Sequence, residues 1–347
     1  MKKKVLIVDD SVVIRTFLQE LFENDPELEV IGAAADPYKA RTIMKSNWPD
    51  VITLDIEMPR MNGIEFLKKI MKSKPTPVIM LSTLTKKGAG ITLEALEIGA
   101  VDYISKPTTA SWNELNETKS EILQKVKNAS YSNLKKRTLF AKRQGVIASN
   151  ISRTNLSRKL VLIGSSTGGV QTLTNIFTRL PKNVPGIVVV QHMPKFFLES
   201  LALQLDKKLV LDVRMADNDM PITAGTILIA PGDTHTHIIK KSGLYYTKIV
   251  EGTPVGFHRP AVNVLFQSAS EIGNPNILGV ILTGMGDDGA NGMSMMKQKG
   301  CRTLGQDEHS SIVYGMPKRA YEMGGVEKQF SMSDIPTKIV EFGEGIY

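Results

Sequence analysis

Cysteine and long apolar runs are what this sequence most clearly lacks. Its 347 residues include one cysteine, Cys301, so no intrachain disulfide can form, and a reducing compartment fits. In the opening MKKKVLIVDD, four apolar residues are followed by two acids. That run is too short for a signal peptide, and no later run reaches the length of a membrane helix. We therefore expect a cytoplasmic protein without membrane insertion.

Acidic residues are missing from one long segment, Ile122 to Lys159. Ten basic residues lie there, and removing their charges from the formal net charge of +8 leaves −2 for the rest of the chain. Because the excess belongs to one polar, turn-rich segment, it does not indicate a nucleic-acid-binding surface. It predicts a flexible basic linker over residues 126–157, with docking to an acidic partner as the alternative. The basic residues are Lys125, Lys127, Lys135, Lys136, Arg137, Lys142, Arg143, Arg153, Arg158 and Lys159.

The chain length favours two domains, which we place at residues 1–125 and 158–347. In the first, five apolar runs alternate with helical patterns, which predicts a doubly wound parallel α/β sheet. Such sheets bind ligands at the carboxyl ends of their strands. The runs are KVLIVDD, EVIGAA, DVITLD, PVIML and VDYISKP.

Reactive side chains end several of these strands. Asp9 and Asp10 end the first, Asp55 the third, Ser82 the fourth and Lys106 the fifth. Three converging carboxylates suit Mg²⁺, and a carboxylate can also accept a phosphoryl group, whose oxygens Ser82 and Lys106 could hold. The alternative for any single aspartate is a helix N-cap, as for Asp10 before SVVIRTFLQEL.

The motifs VDD, LDIEMPRMNG, MLST and YISKP together resemble a two-component receiver domain over the whole first domain. The resemblance implies a (βα)5, flavodoxin-like fold in which Asp55 is the phosphoacceptor. It also implies a Mg²⁺ site formed by Asp9, Asp10, Asp55 and the backbone carbonyl of Glu57. The phosphodonor would be a chemotaxis histidine kinase. Three further residues would respond to the phosphoryl group, namely Ser82, Lys106 and the aromatic switch residue Tyr103.

The second domain, residues 158–347, is also predicted to be α/β. The apolar runs KLVLIG, GIVVVQH and NILGVILTG are each followed by a helix-compatible segment, which indicates a doubly wound, mostly parallel sheet. Between them, GTILIAPGDTHTHIIKKSGLYYTKIV alternates in polarity and breaks at Pro-Gly and Ser-Gly, so we expect a β-hairpin excursion. The domain is large for a DNA-binding output module, and its sequence shows no convincing helix-turn-helix pair.

The segment IGSSTGGVQTL, residues 163–173, allows three interpretations. It can be a phosphate-binding loop, a turn that needs glycine, or a loop that presents a nucleophile. GSSTG matches G-x-S-x-G between a strand and a helix, where flanking glycines expose a serine hydroxyl. The pattern alone is weak, because glycine-rich turns are common in α/β proteins. It selects Ser166 and leaves Ser165 as a turn residue.

A nucleophilic serine needs a base, and GIVVVQ places His192 at the end of the next strand. His258 is a candidate for lining the same cleft. His235 and His237 share one face of a probable strand, and we expect them at the surface rather than on a metal. His309 is expected in a loop.

An acid must orient the base, and ILTGMGDDGANG supplies Asp287 and Asp288 after another apolar run. Ser166, His192 and Asp288 would then follow three strands at the ligand-binding edge of the sheet. Their order along the chain differs from the Ser-Asp-His order of the α/β-hydrolases. GMGDDG also spells G-x-G-x-x-G, with Asp307 about twenty residues on, as in a dinucleotide fingerprint. Two adjacent carboxylates would oppose a pyrophosphate there.

The motifs IGSSTGG, QHMP, IAPG, HRPAVNVLF, LTGMGDDGA and QDEHSSIVYGMP are similar to the catalytic domain of the chemotaxis protein-glutamate methylesterases. The resemblance implies that Ser166 is the nucleophile, His192 the base and Asp288 the acid. It also implies that Thr167 and the backbone amide of Met285 contribute to the oxyanion site.

This second resemblance implies hydrolysis of glutamate γ-methyl esters on the cytoplasmic helices of chemoreceptors, without a cofactor. Many relatives also deamidate receptor glutamines. An unphosphorylated receiver would cover the active-site edge and move after phosphorylation. We expect a monomer whose partners are methylated chemoreceptors and the kinase, with no nucleic acid. Two alternatives remain: a receiver-linked oxidoreductase that binds NAD through GMGDDG, and a non-enzymatic, phosphorylation-dependent adaptor.

Overall fold

The chain forms two compact units, Met1–Lys135 and Lys136–Tyr347. Most of the predicted linker lies outside the residues that the structure describes. Among the described helices, none combines the length and the apolar composition that crossing a membrane requires. The structure is a computed structural model, and it describes residues 2–83, 85–106, 112–132, 145–147 and 156–347.

The first unit is built on a five-stranded parallel sheet with the strand order β2-β1-β3-β4-β5. This order confirms the predicted flavodoxin-like fold. The strands are β1 (Lys3–Val8), β2 (Leu28–Ala34), β3 (Val51–Asp55), β4 (Val78–Thr83) and β5 (Asp102–Lys106). The helices are α1 (Val12–Glu23), α2 (Pro37–Ser46), α3 (Gly63–Ser73), α4 (Lys86–Ile98) and α5 (Trp112–Tyr131).

Helix α5 continues beyond residue 125, where we placed the end of the first domain. Val126 is fully buried, and the ammonium group of Lys127 lies 3.0 Å from a carboxylate oxygen of Asp25. Lys125 donates a hydrogen bond to the backbone carbonyl of Tyr103. Lys125 and Lys127 therefore belong to the folded first unit, and the predicted linker boundary is too early. We did not predict this last stretch of helix because its composition is largely polar. A helix that buries only one face needs few apolar residues.

The second unit contains a seven-stranded parallel sheet with the order β15-β14-β13-β6-β7-β10-β8 and a smaller antiparallel sheet with the order β11-β12-β9. The β11–β12 pair is the predicted hairpin. The strands are β6 (Leu160–Ser165), β7 (Gly186–Gln191), β8 (Asp212–Met215), β9 (Met220–Pro221), β10 (Thr226–Ile229), β11 (His235–Lys241), β12 (Leu244–Val250), β13 (Ile277–Ile281), β14 (Arg302–Gln306) and β15 (Lys328–Phe330). The helices are α6 (Gly169–Phe177), α7 (Lys195–Lys208), α8 (Val262–Ile272), α9 (Ala290–Gln298), α10 (Met316–Glu322) and α11 (Ile335–Glu344).

Strand β6 lies at the point where the strand order of the large sheet reverses. The chain runs from β6 to β7, continues to the edge strand β8 and returns as β10 between β7 and β8, and it later places β13 on the other side of β6. Side chains of β6 and β13 are buried on the same core as those of helix α8, including Leu162, Phe266 and Ile281. The carboxyl ends of β7, β6 and β13 are therefore adjacent, and a crevice at such a reversal is where open α/β sheets bind ligands.

The packing of α8 on β6 can be tested at Gly164. An alanine there would place its Cβ 2.2 Å from Cγ1 of Val262, so the helix would have to shift. We expect Gly164→Ala to lower the free energy of unfolding of the second unit by about 1–3 kcal/mol, measured by urea denaturation. Val262→Ala removes the opposing methyl groups, so Gly164→Ala should be nearly neutral in that background. Equal losses in the two backgrounds would contradict the contact.

Candidate active site

Two neighbouring serines at the end of β6 have different surroundings. Ser165 is the last residue of the strand rather than a turn residue, and it is 0% exposed. Its hydroxyl donates to Oε1 of Gln191 at 2.7 Å. Ser166 is half-buried in the following loop, and its carbonyl accepts a hydrogen bond of 3.0 Å from Nε2 of Gln191. Ser165 thus fastens the loop, and Ser166 is the serine whose side chain is accessible.

His192 follows β7 directly, and its backbone N–H donates to the carbonyl of Ser165 at 3.1 Å. This bond joins the two strand ends that carry the serine and the histidine. Nε2 of His192 lies 2.7 Å from Oδ2 of Asp288. Nδ1 is buried and forms no hydrogen bond with any residue that the structure describes. Because an ionised carboxylate only accepts, Nε2 carries the proton when the ring is neutral, and Nδ1 is left as the basic nitrogen.

Asp288 is 4% exposed, and its carboxylate lies against the first residues of helix α8. Oδ2 accepts the N–H of Val262 at 2.7 Å, and Oδ1 accepts the N–H of Asn263 at 2.9 Å. The helix has no side-chain cap of its own at Ala261, so Asp288 supplies the missing acceptors from another loop. Burial alone would raise the pKa of Asp288, but the bond and charge of His192 and the two backbone donors lower it below its usual value.

The neighbouring carboxylate, Asp287, is exposed, and the structure brings Asp288 rather than Asp287 to His192. Two of the three glycines of GMGDDG, Gly284 and Gly289, lie where an added Cβ would collide with other parts of the domain. A Cβ on Gly284 would lie 2.2 Å from Sδ of Met316 and 2.8 Å from Cβ of Ser166. The close approach of this loop to the serine loop therefore explains why Gly284 is a glycine. No dinucleotide site is needed to explain that residue.

The two predicted oxyanion residues lie in the loops that meet beside Ser166. Thr167 is buried, and its carbonyl accepts a bond of 3.0 Å from the hydroxyl of Thr283. Met285 is half-buried and directly follows Gly284. Thr283 also links to the next loop, because its hydroxyl accepts the N–H of Val313 at 2.9 Å. Sequence patterns did not single out Thr283, since its role is to join loops that are far apart in the chain.

Of the other four histidines, one lies beside His192, one is buried, one is half-buried and one is exposed. His258 stacks on His192, with ring centroids 3.7 Å apart and planes 9° from parallel. His235 is 4% exposed, so its predicted surface position is wrong. Its Nε2 bonds to the carbonyl of Thr253 at 3.0 Å, and its Nδ1 accepts the N–H of Ala261. His237 is half-buried, and burial lowers its pKa, while His309 lies in an exposed turn.

In the first unit, Asp9, Asp10 and Asp55 converge at the carboxyl ends of β1 and β3. Ligand atoms of the three carboxylates lie within 4.8 Å of one another, which suits a hard divalent cation. Ser11, not Asp10, caps helix α1 through a bond to the N–H of Ile14, so the N-cap alternative for Asp10 is wrong. Asp9 instead accepts the N–H of Ser11 at 2.8 Å.

Lys106 neutralises part of this carboxylate cluster. Its ammonium group lies 2.7 Å from Oδ2 of Asp9 and 2.8 Å from Oδ1 of Asp55. Desolvation and the charge of Asp9 raise the pKa of Asp55 to about 6. Burial alone would lower the pKa of Lys106, but the two carboxylates raise it above its usual value. The site therefore favours added positive charge at neutral pH.

The remaining predicted receiver residues lie on β4, on β5 and in the loop after β3. Ser82 is buried, and its hydroxyl accepts a hydrogen bond of 2.6 Å from Thr92 on helix α4. Thr92 is a residue that sequence reasoning missed, because its partner is known only once the helix is packed. Glu57 is exposed, and its N–H donates to Asp55 at 3.4 Å. Tyr103 is buried, and burial raises the pKa of its hydroxyl well above the usual value.

The chain matches two family models. One, described as CheB methylesterase, matches residues 161–339, and the other, described as Response regulator receiver domain, matches residues 5–116. A solved structure, the Thermotoga maritima CheB methylesterase catalytic domain, aligns with a TM-score of 0.51 and 38% identity. It covers 53% of this chain and 97% of the solved chain.

Curated relatives match over nearly the whole chain. One from Hahella chejuensis (strain KCTC 2396), named protein-glutamate methylesterase/protein-glutamine glutaminase 2, is 43% identical over 358 residues, covering 99% of this chain and 97% of the relative. One from Photobacterium profundum, named protein-glutamate methylesterase/protein-glutamine glutaminase 1, is 46% identical over 348 residues, covering 97% of this chain and 99% of the relative. The match includes both domains.

The capping role of Asp288 makes it a stability residue as well. Asp288→Ala removes the acceptors of one buried and one part-buried N–H group, so we expect a loss of about 2–4 kcal/mol in the free energy of unfolding of the second unit. Asp287→Ala is the matched control, since its side chain is exposed, and should change stability by less than about 0.5 kcal/mol. Equal effects of the two substitutions in urea denaturation would refute the capping assignment.

The raised pKa of Asp55 predicts a pH-dependent stability difference. Between its unfolded value of 3.8 and about 6, the folded state binds more protons, so ionisation of Asp55 destabilises the first unit as the pH rises through that window. In metal-free buffer, Asp55→Asn should therefore leave stability unchanged near pH 4. It should stabilise the first unit by about 1–3 kcal/mol above pH 6. A constant difference across this range, measured by thermal unfolding, would contradict the raised pKa.

Proposed function

The chain belongs to the CheB methylesterase family, and on that premise we propose that it hydrolyses glutamate γ-methyl esters on chemoreceptors under the control of its receiver domain. The matches to the two family models confirm both resemblances found in the sequence. The single observation that carries the proposal is the bond of 2.7 Å between His192 and Asp288, formed on loops that adjoin the accessible Ser166. An oxidoreductase or a non-enzymatic adaptor would not require this arrangement.

The proposed chemistry is acyl transfer through a covalent intermediate. The hydroxyl of Ser166 attacks the side-chain carbonyl of the esterified glutamate, and Nδ1 of His192 takes its proton. Asp288 stays ionised, holds Nε2 and stabilises the imidazolium ion. The proton then passes to the leaving methoxide, which departs as methanol. Water, activated by the same nitrogen, attacks the glutamyl-enzyme and releases a free glutamate side chain and Ser166.

The tetrahedral intermediate carries a negative oxygen that needs hydrogen-bond donors. We assign this role to Thr167 and to the backbone N–H of Met285, as the family resemblance implies. Their loops are held together by Thr283, which bonds to the carbonyl of Thr167. Donors that are fixed before the reaction stabilise the developing charge more than mobile ones, because little reorganisation is needed.

Deamidation of receptor glutamines is a second proposed reaction of the same site. The curated relatives are named for both activities. An amide and an ester differ only in the leaving group, so Ser166 and His192 can act on both, with ammonia in place of methanol. The esterase and deamidase reactions need no cofactor in this scheme.

The receiver domain is proposed to accept a phosphoryl group on Asp55 from a chemotaxis histidine kinase. Asp9, Asp10 and Asp55, with the backbone carbonyl of Glu57, would hold Mg²⁺, which offsets the negative charge of the transferred group. Lys106 and Ser82 would contact the phosphoryl oxygens. Tyr103, as the switch residue, would respond to phosphorylation of Asp55. The raised pKa of Asp55, caused by burial and by the charge of Asp9, is consistent with a site that favours a bound cation and so supports this assignment.

We propose that the unphosphorylated receiver restrains the esterase and that phosphorylation releases it. A tenfold activation requires about 1.4 kcal/mol of coupling, which lies inside the usual allosteric range. Removing residues 1–145 should then raise basal esterase activity. The solved Thermotoga maritima relative consists of the catalytic domain alone, which makes such a truncation practicable. If truncation leaves basal activity unraised, restraint by covering the active site is wrong.

The nucleophile is tested by Ser166→Ala with Ser165→Ala as the matched control. Loss of the nucleophile should reduce methanol release from methylated receptor membranes by orders of magnitude, on the order of 10⁶. Ser165→Ala removes only the bond to Gln191 and should retain most of the turnover. Unchanged methanol release by Ser166→Ala would overturn the proposed mechanism.

Control by the receiver is tested with a small-molecule phosphodonor and Mg²⁺. Wild-type esterase activity should rise when the donor is added, while Asp55→Asn should keep its basal rate and show no increase. Chelation of Mg²⁺ should abolish the increase without changing the basal rate, because only phosphorylation depends on the cation. Activation of Asp55→Asn by the donor would contradict the assignment of the phosphoacceptor.

A further inference from the structure

A tight turn beside His192 carries an aromatic ring into solvent. The N–H of Val255 donates to the carbonyl of His258 at 3.0 Å, and the N–H of His258 donates back at 3.1 Å. The two residues between them, Gly256 and Phe257, have φ angles of 58° and 70°. Positive φ at both central positions is the mark of a two-residue turn of type I′. We refer to residues 255–258 as the rim turn.

Phe257 is a poor residue for this backbone. A two-residue turn with positive φ at both central positions favours Asn, Asp or Gly. A bulky side chain at positive φ is strained, because its Cβ crowds the following carbonyl. The sequence satisfies the requirement at Gly256 and violates it at the next position. Local conflicts of this kind concentrate at functional positions.

The ring of Phe257 gains no packing that would offset the strain. Its residue is 99% exposed, so the phenyl group buries almost no apolar surface. Val255, on the same turn, is 40% exposed. The rim turn thus presents apolar groups to water at two of its four positions.

The rim turn is tied to the active site and to the domain around it. His258, the residue after Phe257, stacks on His192 with ring centroids 3.7 Å apart. On the preceding stretch, the carbonyl of Thr253 bonds to the buried His235 at 3.0 Å. Arg259 closes the loop by donating to the carbonyl of Gly252 at 2.8 Å. The ring therefore stands on an anchored loop at the rim of the catalytic site.

We propose that Phe257 is a substrate-recognition residue that packs against apolar side chains on the receptor helix next to the esterified glutamate. This inference rests on the proposed function. A methyl ester offers few atoms for binding, so affinity for a protein substrate must come from contacts outside the reacting group. On a helix, residues three and four positions from the reacting glutamate share its face. An exposed ring on a hydrogen-bonded turn, one residue from the stacked histidines, can reach that face.

The test compares steady-state methanol release from methylated receptor membranes by wild type and Phe257→Gly. Glycine relieves the strained φ and removes the ring, so the variant should unfold at the same or a higher temperature than wild type. Loss of the ring's contact with the receptor should raise KM roughly tenfold, with kcat within about twofold of wild type. Phe257→Tyr keeps the ring and should restore the wild-type KM.

Leu203→Ala on helix α7 is the matched control, because Leu203 is 64% exposed and has no place in the rim turn. It should leave both constants unchanged. An unchanged KM in Phe257→Gly, or a loss of activity carried by kcat, would overturn the recognition role. If wild type itself releases no methanol, the proposed function fails instead, which is a distinguishable result.

Discussion

The carboxylate of Asp288 is the group on which the geometry of the catalytic domain depends. It completes the amino terminus of helix α8 through Val262 and Asn263, and it holds Nε2 of His192. A buried charge is tolerated only when it is paired and hydrogen-bonded. The helix cap and the position of the His192 ring therefore depend on the same carboxylate. The partners also lower the pKa of the carboxylate, which favours its ionised form.

Both domains place their chemistry by the same rule of sheet topology. In each, the strand order reverses beside the first strand, and reactive residues follow the strands at the reversal or next to it. In the receiver domain, three carboxylates meet there, and their mutual repulsion favours the binding of a cation. In the catalytic domain, one carboxylate meets a histidine instead, next to the loop that carries Ser166. The two edges therefore differ in charge: the first collects three carboxylates and favours added positive charge, whereas the second pairs a single carboxylate with an imidazole.

Much of this arrangement could be predicted from the sequence, because strand ends carry chemistry in a local pattern. Ser166, His192 and Asp288 each follow an apolar run, and the structure brings the latter two into contact. What could not be predicted depends on tertiary packing. The burial of His235 results from a loop that folds over the hairpin, and the cap on α8 comes from a residue 26 positions away. The end of α5 was missed since a helix with one buried face can be largely polar.

In the proposed mechanism, Asp288 fixes the proton of His192 on Nε2 and leaves Nδ1 as the base. Nitrogen NMR of protein labelled at its five histidines, with His192 assigned by loss of its signal in His192→Gln, reports the tautomer directly. At a pH where the ring is neutral, we expect a protonated Nε2 and an unprotonated Nδ1. Asp288→Asn should weaken that preference. A protonated Nδ1 in the wild-type protein would rule out Nδ1 as the base.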